Sequence, residues 1–239
     1  GRNGPRAEMR PAGFWRRYAA YSLDVLVPVA VSVPLLWGTG ARVLAGTDAA
    51  MRQVQFRLFE LMDAALAGGA DAANPLGQLT AWSGDPVLRE GVLALVATWV
   101  HGLAVAAAVL FALSALWFVG FEASRWQATP GKRLAGLRVT ALDGSRPARW
   151  RVVLRFVAGV PSWLMLHLGH ALAGWTKDRR ALHDLVAGTR VVLAPEASDA
   201  MPRWARRWLW LQALAFAAAL VGVVTSYALL LAQALGGAG

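Results

Sequence analysis

The chain has 239 residues, 57% of them apolar and only 16% charged, a balance that excludes an ordinary soluble domain and points to a membrane protein. Its formal charge of +10 sits beside the apolar runs, where the positive-inside bias and anionic lipid account for it, so no nucleic-acid partner is expected. Cysteine is absent, which removes disulfides, thiol chemistry and Cys-based zinc sites.

Residues 1–17 carry five arginines and read as a basic cytoplasmic N-terminus. The run that follows, Tyr18 to Gly40, is interrupted only by Asp24 and predicts a span over about 18–37. An acid inside the run, and a length near 20 residues, argue for an uncleaved anchor over a secretory signal peptide. Residues 38–90 hold four basic and six acidic residues and are expected outside as an insert. Within it, "AAMRQVQFRLFELMDAALAGG" places Met51, Val54, Leu58, Leu61, Met62 and Ala65 on one helical face. That amphipathic helix, about 51–66, either lies on the outer leaflet or against the spans, or docks another membrane or periplasmic protein. "GGADAANPLG" reads as loop.

Gly91 to Phe121 is uncharged and predicts a second span over about 91–119, with His101 read as a packed histidine. "GLRVTALDGSRPARW" alternates Leu137, Val139 and Ala141 before an Asp-Gly turn, and "GTRVVLAPE" is β-branched; both predict strands that pair in a small cytoplasmic sheet. Between them, Phe156 to Trp175 is ambiguous. Eight basic residues lie in 122–155 and seven in 176–207, so a crossing segment would erase the charge bias, whereas a segment that dips in and returns keeps both groups inside. Gly159 and Pro161 supply break points. Residues 195–239 form a basic linker and a last span, about 208–234. The expected fold class is thus an all-α polytopic membrane protein with three transmembrane helices, one re-entrant or broken segment over about 156–175, and the small β-pairing, with four transmembrane helices as the alternative. Trp15, Trp37, Trp117, Trp204, Trp208 and Trp210 fall near span ends and read as interface anchors.

Three stretches, "GFWRRYAAYSLD", "TPGKRLAGLRVTALDGSRP" and "RRALHDLVAGTRVV", in that order and spacing, give a sequence that resembles the RDD family of bacterial integral membrane proteins. The resemblance covers most of residues 13–194, so residues 18–194 are taken as the membrane domain. It implies a protein of the bacterial cytoplasmic (inner) membrane, and it places the family's arginine and two aspartates on Arg17, Asp24 and Asp184. Some members have been proposed as sodium/proton antiporters. The insert of 38–90 is longer than a minimal member needs, and the last span lies outside the core resemblance.

The residues themselves leave two functions open. Arg17 and Asp24 share a helical face but sit about 10 Å apart along the axis, a poor ion pair. Arg17 can snorkel to headgroups, while Asp24 needs a partner or a proton, since a central charge costs roughly 2.5–3.5 kcal/mol. On the re-entrant topology Asp184, His183, Arg179, Arg180 and Arg190 lie on the same side as the mouth of the first span. Pro28 lacks the N–H that would bond the carbonyl of residue 24, which adds an oxygen beside the carboxylate. One reading is a structural arginine/aspartate charge network in a non-enzymatic structural or assembly subunit; the alternative is a proton-coupled cation transporter with Asp24 as ion site. "TPGKR" is not a P-loop, because Trp126 stands where its first glycine belongs and Arg133 where Ser or Thr would hold magnesium; Lys132 and Arg133 are expected at lipid headgroups. His167 and His170 share a face without a third ligand, so no metal and no cofactor is expected. Beyond lipid, the expected partners are a second copy of the chain or the protein docked on residues 51–66.

Overall fold

The computed structural model describes residues 9–67, 82–164, 174 and 179–236. In chain order these form α1 (Phe14–Ala67), α2 (Pro86–Glu122), α3 (Pro130–Leu134), β1 (Leu137–Ala141), α4 (Arg149–Leu164), α5 (Leu182–Ala187), β2 (Thr189–Leu193) and α6 (Arg203–Gly236). Three helices are long and apolar enough to cross a membrane: α1, α2 and α6. The chain divides into two units, Gly1–Val27 with Ala115–Gly239, and Pro28–Ser114.

In the second unit the first span and the amphipathic stretch are not separate helices. α1 runs unbroken through Pro28, Pro34 and the whole of 51–66; its 54 residues make it about 80 Å long at 1.5 Å per residue, far beyond the ~30 Å hydrocarbon core. The missing break has a packing cause. Glycines cost a helix roughly 1 kcal/mol each, yet here they let two helices approach: Gly46 faces Thr98, Gly91 faces Val54 and Gly102 faces Val43, an antiparallel seam of small residues. Val54, Leu58, Leu61 and Ala65 are half-buried, whereas Met51 and Met62 are exposed, so the apolar face read from the sequence is narrower in the folded chain. Arg57 closes this end by donating to Asp85 Oδ2 through Nε at 3.1 Å and Nη2 at 2.8 Å. Asp85 Oδ1 in turn accepts from the backbone N–H of Val87 and Leu88. It thereby caps α2, whose first residue, Pro86, has no N–H to satisfy. The hydrogen bonds from Arg57 hold the Asp85 carboxyl below the usual carboxylate range.

The first unit is built around the sheet that the alternation predicts. β1 and β2 pair antiparallel, Leu137 opposite Leu193 and Ala141 opposite Thr189, and Pro11 bridges to Val192 on the other edge of β2. One face of the sheet contributes Leu137, Val139 and Val191 to a core shared with Ala12, Ala20 and Ala135 and flanked by Leu193 and Trp204. Asp143-Gly144 makes the turn after β1, with Asp143 Oδ1 accepting from the Ser145 N–H at 2.9 Å and Gly144 at φ +86°. α6 is fastened to α1 where Trp208 Nε1 and Gln212 Nε2 donate to Ser22 Oγ at 3.0 and 3.1 Å; farther along, Leu214, Phe216 and Leu220 are exposed. Of the tryptophans expected at span ends, Trp15, Trp37 and Trp210 are exposed, while Trp204 and Trp208 pack on the protein. The segment 156–175 is described only as far as Leu164, within α4, and at residue 174; His167 and His170 lie outside the described residues.

Candidate functional site

The family positions converge within the first unit, though not as one contact. Arg17, one turn into α1, points to Asp184 and not to Asp24: its Nη2 donates to Asp184 Oδ2 at 2.5 Å and its Nη1 to the Arg179 carbonyl at 2.7 Å. Asp184 is fully buried and saturated. Oδ2 also accepts from the Ala181 N–H at 3.0 Å, Oδ1 forms an ion pair with Arg155, and Thr189 Oγ1 stands 3.5 Å from Oδ1. The short helix α5 that carries Asp184 ends at Gly188, whose φ of +62° is the left-handed conformation glycine adopts without strain. That stop delivers the chain directly into β2, with Thr189 beside the carboxylate.

Arg155, on the buried face of α4, is the hinge of the cluster. Besides Asp184 it reaches Glu122 Oε2 through Nε at 3.1 Å and Thr189 Oγ1 through Nη1 at 3.2 Å. Glu122, the last residue of α2, is shared with Lys132 of α3. Burial lowers the Arg155 guanidinium to about 10 and pulls the Lys132 ammonium down as well, with Glu122 opposing the shift in both cases. Lys132 is therefore not at the headgroups, where the sequence reading put it; it is 7% exposed, because Glu122 and the Phe118 ring, 5.6 Å from its Nζ, provide a partner that lipid phosphate would otherwise supply. Arg133, by contrast, is exposed and lies 4.4 Å over the Trp126 ring.

Asp24 sits one step away. Its carboxylate accepts three bonds: from Thr129 Oγ1 to Oδ2 at 2.5 Å, from the Gly131 N–H to Oδ1 at 2.8 Å, and from Trp117 Nε1 to Oδ1 at 3.4 Å. The "TPGK" stretch explains itself here. Thr129 and Gly131 dock the start of α3 on Asp24, Pro130 opens the helix without an orphaned N–H, and Gly131 is obligatory, since a Cβ would come within 2.5 Å of the Ala20 carbonyl and 2.8 Å of the Asp24 carboxyl carbon. Pro28 is accommodated inside α1.

The supporting residues divide. Arg179 contributes its carbonyl to Arg17, Arg180 Nη2 donates to the Asp184 carbonyl at 3.3 Å, and His183 is buried with Nε2 3.8 Å from Asp184 Oδ1. Arg190 stands opposite Thr140 in the sheet and makes no ion pair among the described residues. The sequence reading missed Glu122, Arg155, Thr129, Thr189 and the role of Trp117. One signal was present: Glu122 is the lone acid between Glu90 and Asp143, in a region crowded with arginine. Arg16 was missed too; it staples α1 to the unit through the carbonyls of Ala135 and Ser198, both at 2.7 Å.

Three cations (Arg17, Lys132, Arg155) thus share two carboxylates (Glu122, Asp184) in a buried cluster that joins α1, α2, α3, α4, α5 and β2, with Asp24 held beside it by neutral donors. Comparison with known proteins gives a consistent picture. The model of the RDD family matches residues 11–188. The uncharacterized protein YxaI of Bacillus subtilis (strain 168) is 25% identical over 183 residues, which is 77% of this chain and 97% of that protein. The uncharacterized protein YckC of the same organism is 36% identical over 74 residues, 29% of this chain and 49% of its own length. No solved structure matches the chain.

Proposed function

Since this chain belongs to the RDD family, whose model covers most of it, we propose that its arginine and aspartates serve as a structural lock in a non-enzymatic membrane subunit, fastening a small sheet and its helices to the spans. The observation that carries this reading is the engagement of both aspartates by donors from the same unit: Asp24 by Thr129, Gly131 and Trp117, Asp184 by Arg17, Arg155 and the Ala181 N–H. A cation site needs carboxylate oxygens turned toward the ion and other oxygens around it; here N–H and O–H groups occupy those directions.

The lock belongs to an inner-membrane protein with a cytoplasmic N-terminus, in keeping with the distribution of basic residues. The antiparallel pairing of β1 with β2 supports three spans with a returning segment over about 156–175, because paired strands share one side of the bilayer and the chain between them must come back.

The proton-coupled transporter is the competing reading, favoured by the burial of Asp24 in an apolar helix. Proteoliposomes decide between them. Sodium- and potassium-dependent proton flux is compared for wild type and Asp24→Asn at matched folded yield. The lock predicts no flux from wild type and a lower folded yield for the variant. Flux in wild type that disappears in a well-folded Asp24→Asn would overturn it.

A further inference from the structure

α4 has two faces, and neither is the polar face of a helix in water. Inward it buries Val152, Arg155, Phe156 and Ser162, with Arg155 in the charge cluster. Outward it presents Trp150, Val153 and Val157, at 61%, 47% and 49% exposure, followed by exposed Pro161, a stripe at helical spacing without a charge. α5 packs against α4 and adds two more exposed apolar residues, Leu185 and Val186. Exposed apolar residues grouped on two packed helices mark an interaction face.

The occupant is indicated by what borders it. The stripe begins in "RPARWR", where Arg146 and Arg149 are exposed and the Arg151 guanidinium lies 5.2 Å over the Trp150 ring. An arginine over an exposed tryptophan recurs in the same unit at Trp126 and Arg133, immediately after the apolar helix α2 ends. Indole at the headgroup level with a cation beside it is the arrangement of a membrane interface. An apolar helix face edged by arginines is also that of a helix lying in the plane of the bilayer surface on anionic lipid.

We infer that α4 and α5 form an interfacial lipid-binding face, seated in one leaflet through Trp150, Val153, Val157, Leu185 and Val186, with Arg149 directed to anionic headgroup phosphates while Arg146 and Arg151 hold the carbonyls of Ala123 and Gly188 at its edge. The face does not depend on whether Asp24 moves ions. Its consequence is structural: α4 carries Arg155, so the leaflet would press the hinge of the charge cluster into place.

The absence of cysteine makes the test direct. Single cysteines replace Val153, Val157 or Leu185 in the full chain, carry a nitroxide label, and are reconstituted into phosphatidylcholine vesicles with or without phosphatidylglycerol. Relaxation by oxygen and by a water-soluble nickel chelate reports whether each label sits in lipid or water. Asp143→Cys, on the exposed turn, and Leu220→Cys, on α6, are the water and lipid references. The expected result is oxygen-accessible, nickel-protected labels at all three sites, deeper with phosphatidylglycerol, and a depth gain that Arg149→Gln removes. Nickel-accessible labels would overturn the inference, as would labels shielded from both reagents, which would place protein on the face. A depth indifferent to phosphatidylglycerol would refute the anionic-lipid part. Nickel access at Leu220 would instead sink the membrane reading itself, so the two failures are distinguishable.

Discussion

Glu122→Gln is the sharpest perturbation of the cluster. The substitution keeps the shape of the side chain and removes its charge, leaving Lys132 and Arg155, both buried, with their shared carboxylate gone. Breaking a buried ion pair from one side costs about 3–5 kcal/mol, because the remaining charge stays desolvated and unpaired; a typical domain has only about 5–15 kcal/mol in total. The thermal midpoint of the detergent-solubilised protein, followed by size exclusion, should therefore drop sharply. Adding Lys132→Met reverses most of this. The second change removes the orphaned ammonium, and a methionine fills the volume beside Phe118, where Lys132 now lies; replacing a buried pair by apolar or neutral groups is often close to neutral. The double variant should thus be more stable than Glu122→Gln alone. A single variant within about 0.5 kcal/mol of wild type, the range of ordinary surface substitutions, or a double variant that loses the sum of both, would refute the reasoning.

Gly131→Ala drives a methyl into the Ala20 carbonyl and the Asp24 carboxylate. Overpacking of that kind costs about 1–3 kcal/mol, read as a lower midpoint in the same assay. In the hairpin of the second unit, Gly102→Ala destabilises by pushing against Val43, and Val43→Ala added to it restores the close approach; a midpoint that falls further in the double variant would contradict the seam. Asp85 gives a pH dependence. Its folded pKa is depressed by Arg57, so its contribution is complete above the unfolded carboxylate value, about 3.9, and is lost as pH falls through the folded value. The stability gap between wild type and Asp85→Asn should be open at neutral pH and close in acid, as measured by melting at stepped pH.

Much of this molecule was legible from local pattern. Apolar runs long enough to cross a bilayer, uncharged but for Asp24 in the first, marked α1, α2 and α6, since lipid demands continuous apolar sequence. Period-two alternation marked β1 and β2, and spacing of "RRYAAYSLD", "TPGK" and "ALHD" marked the family. These are properties of short windows, set by the dimensions of a helix, a strand and a membrane. Pairing across the chain was not legible. Nothing near Arg17 in sequence announces that it turns to Asp184, 167 residues away, nor that Lys132 abandons the headgroups for Glu122. The merging of the first span with the amphipathic stretch was equally hidden: glycines that read as weak points became the seam on which the second helix packs. An ion pair or a close helix approach depends on which surfaces the fold brings together, and burial then decides whether a charge is solvated by water, by lipid phosphate or by another residue. The sequence by itself determined the elements and the charges available; only the tertiary structure decided which charge answers which.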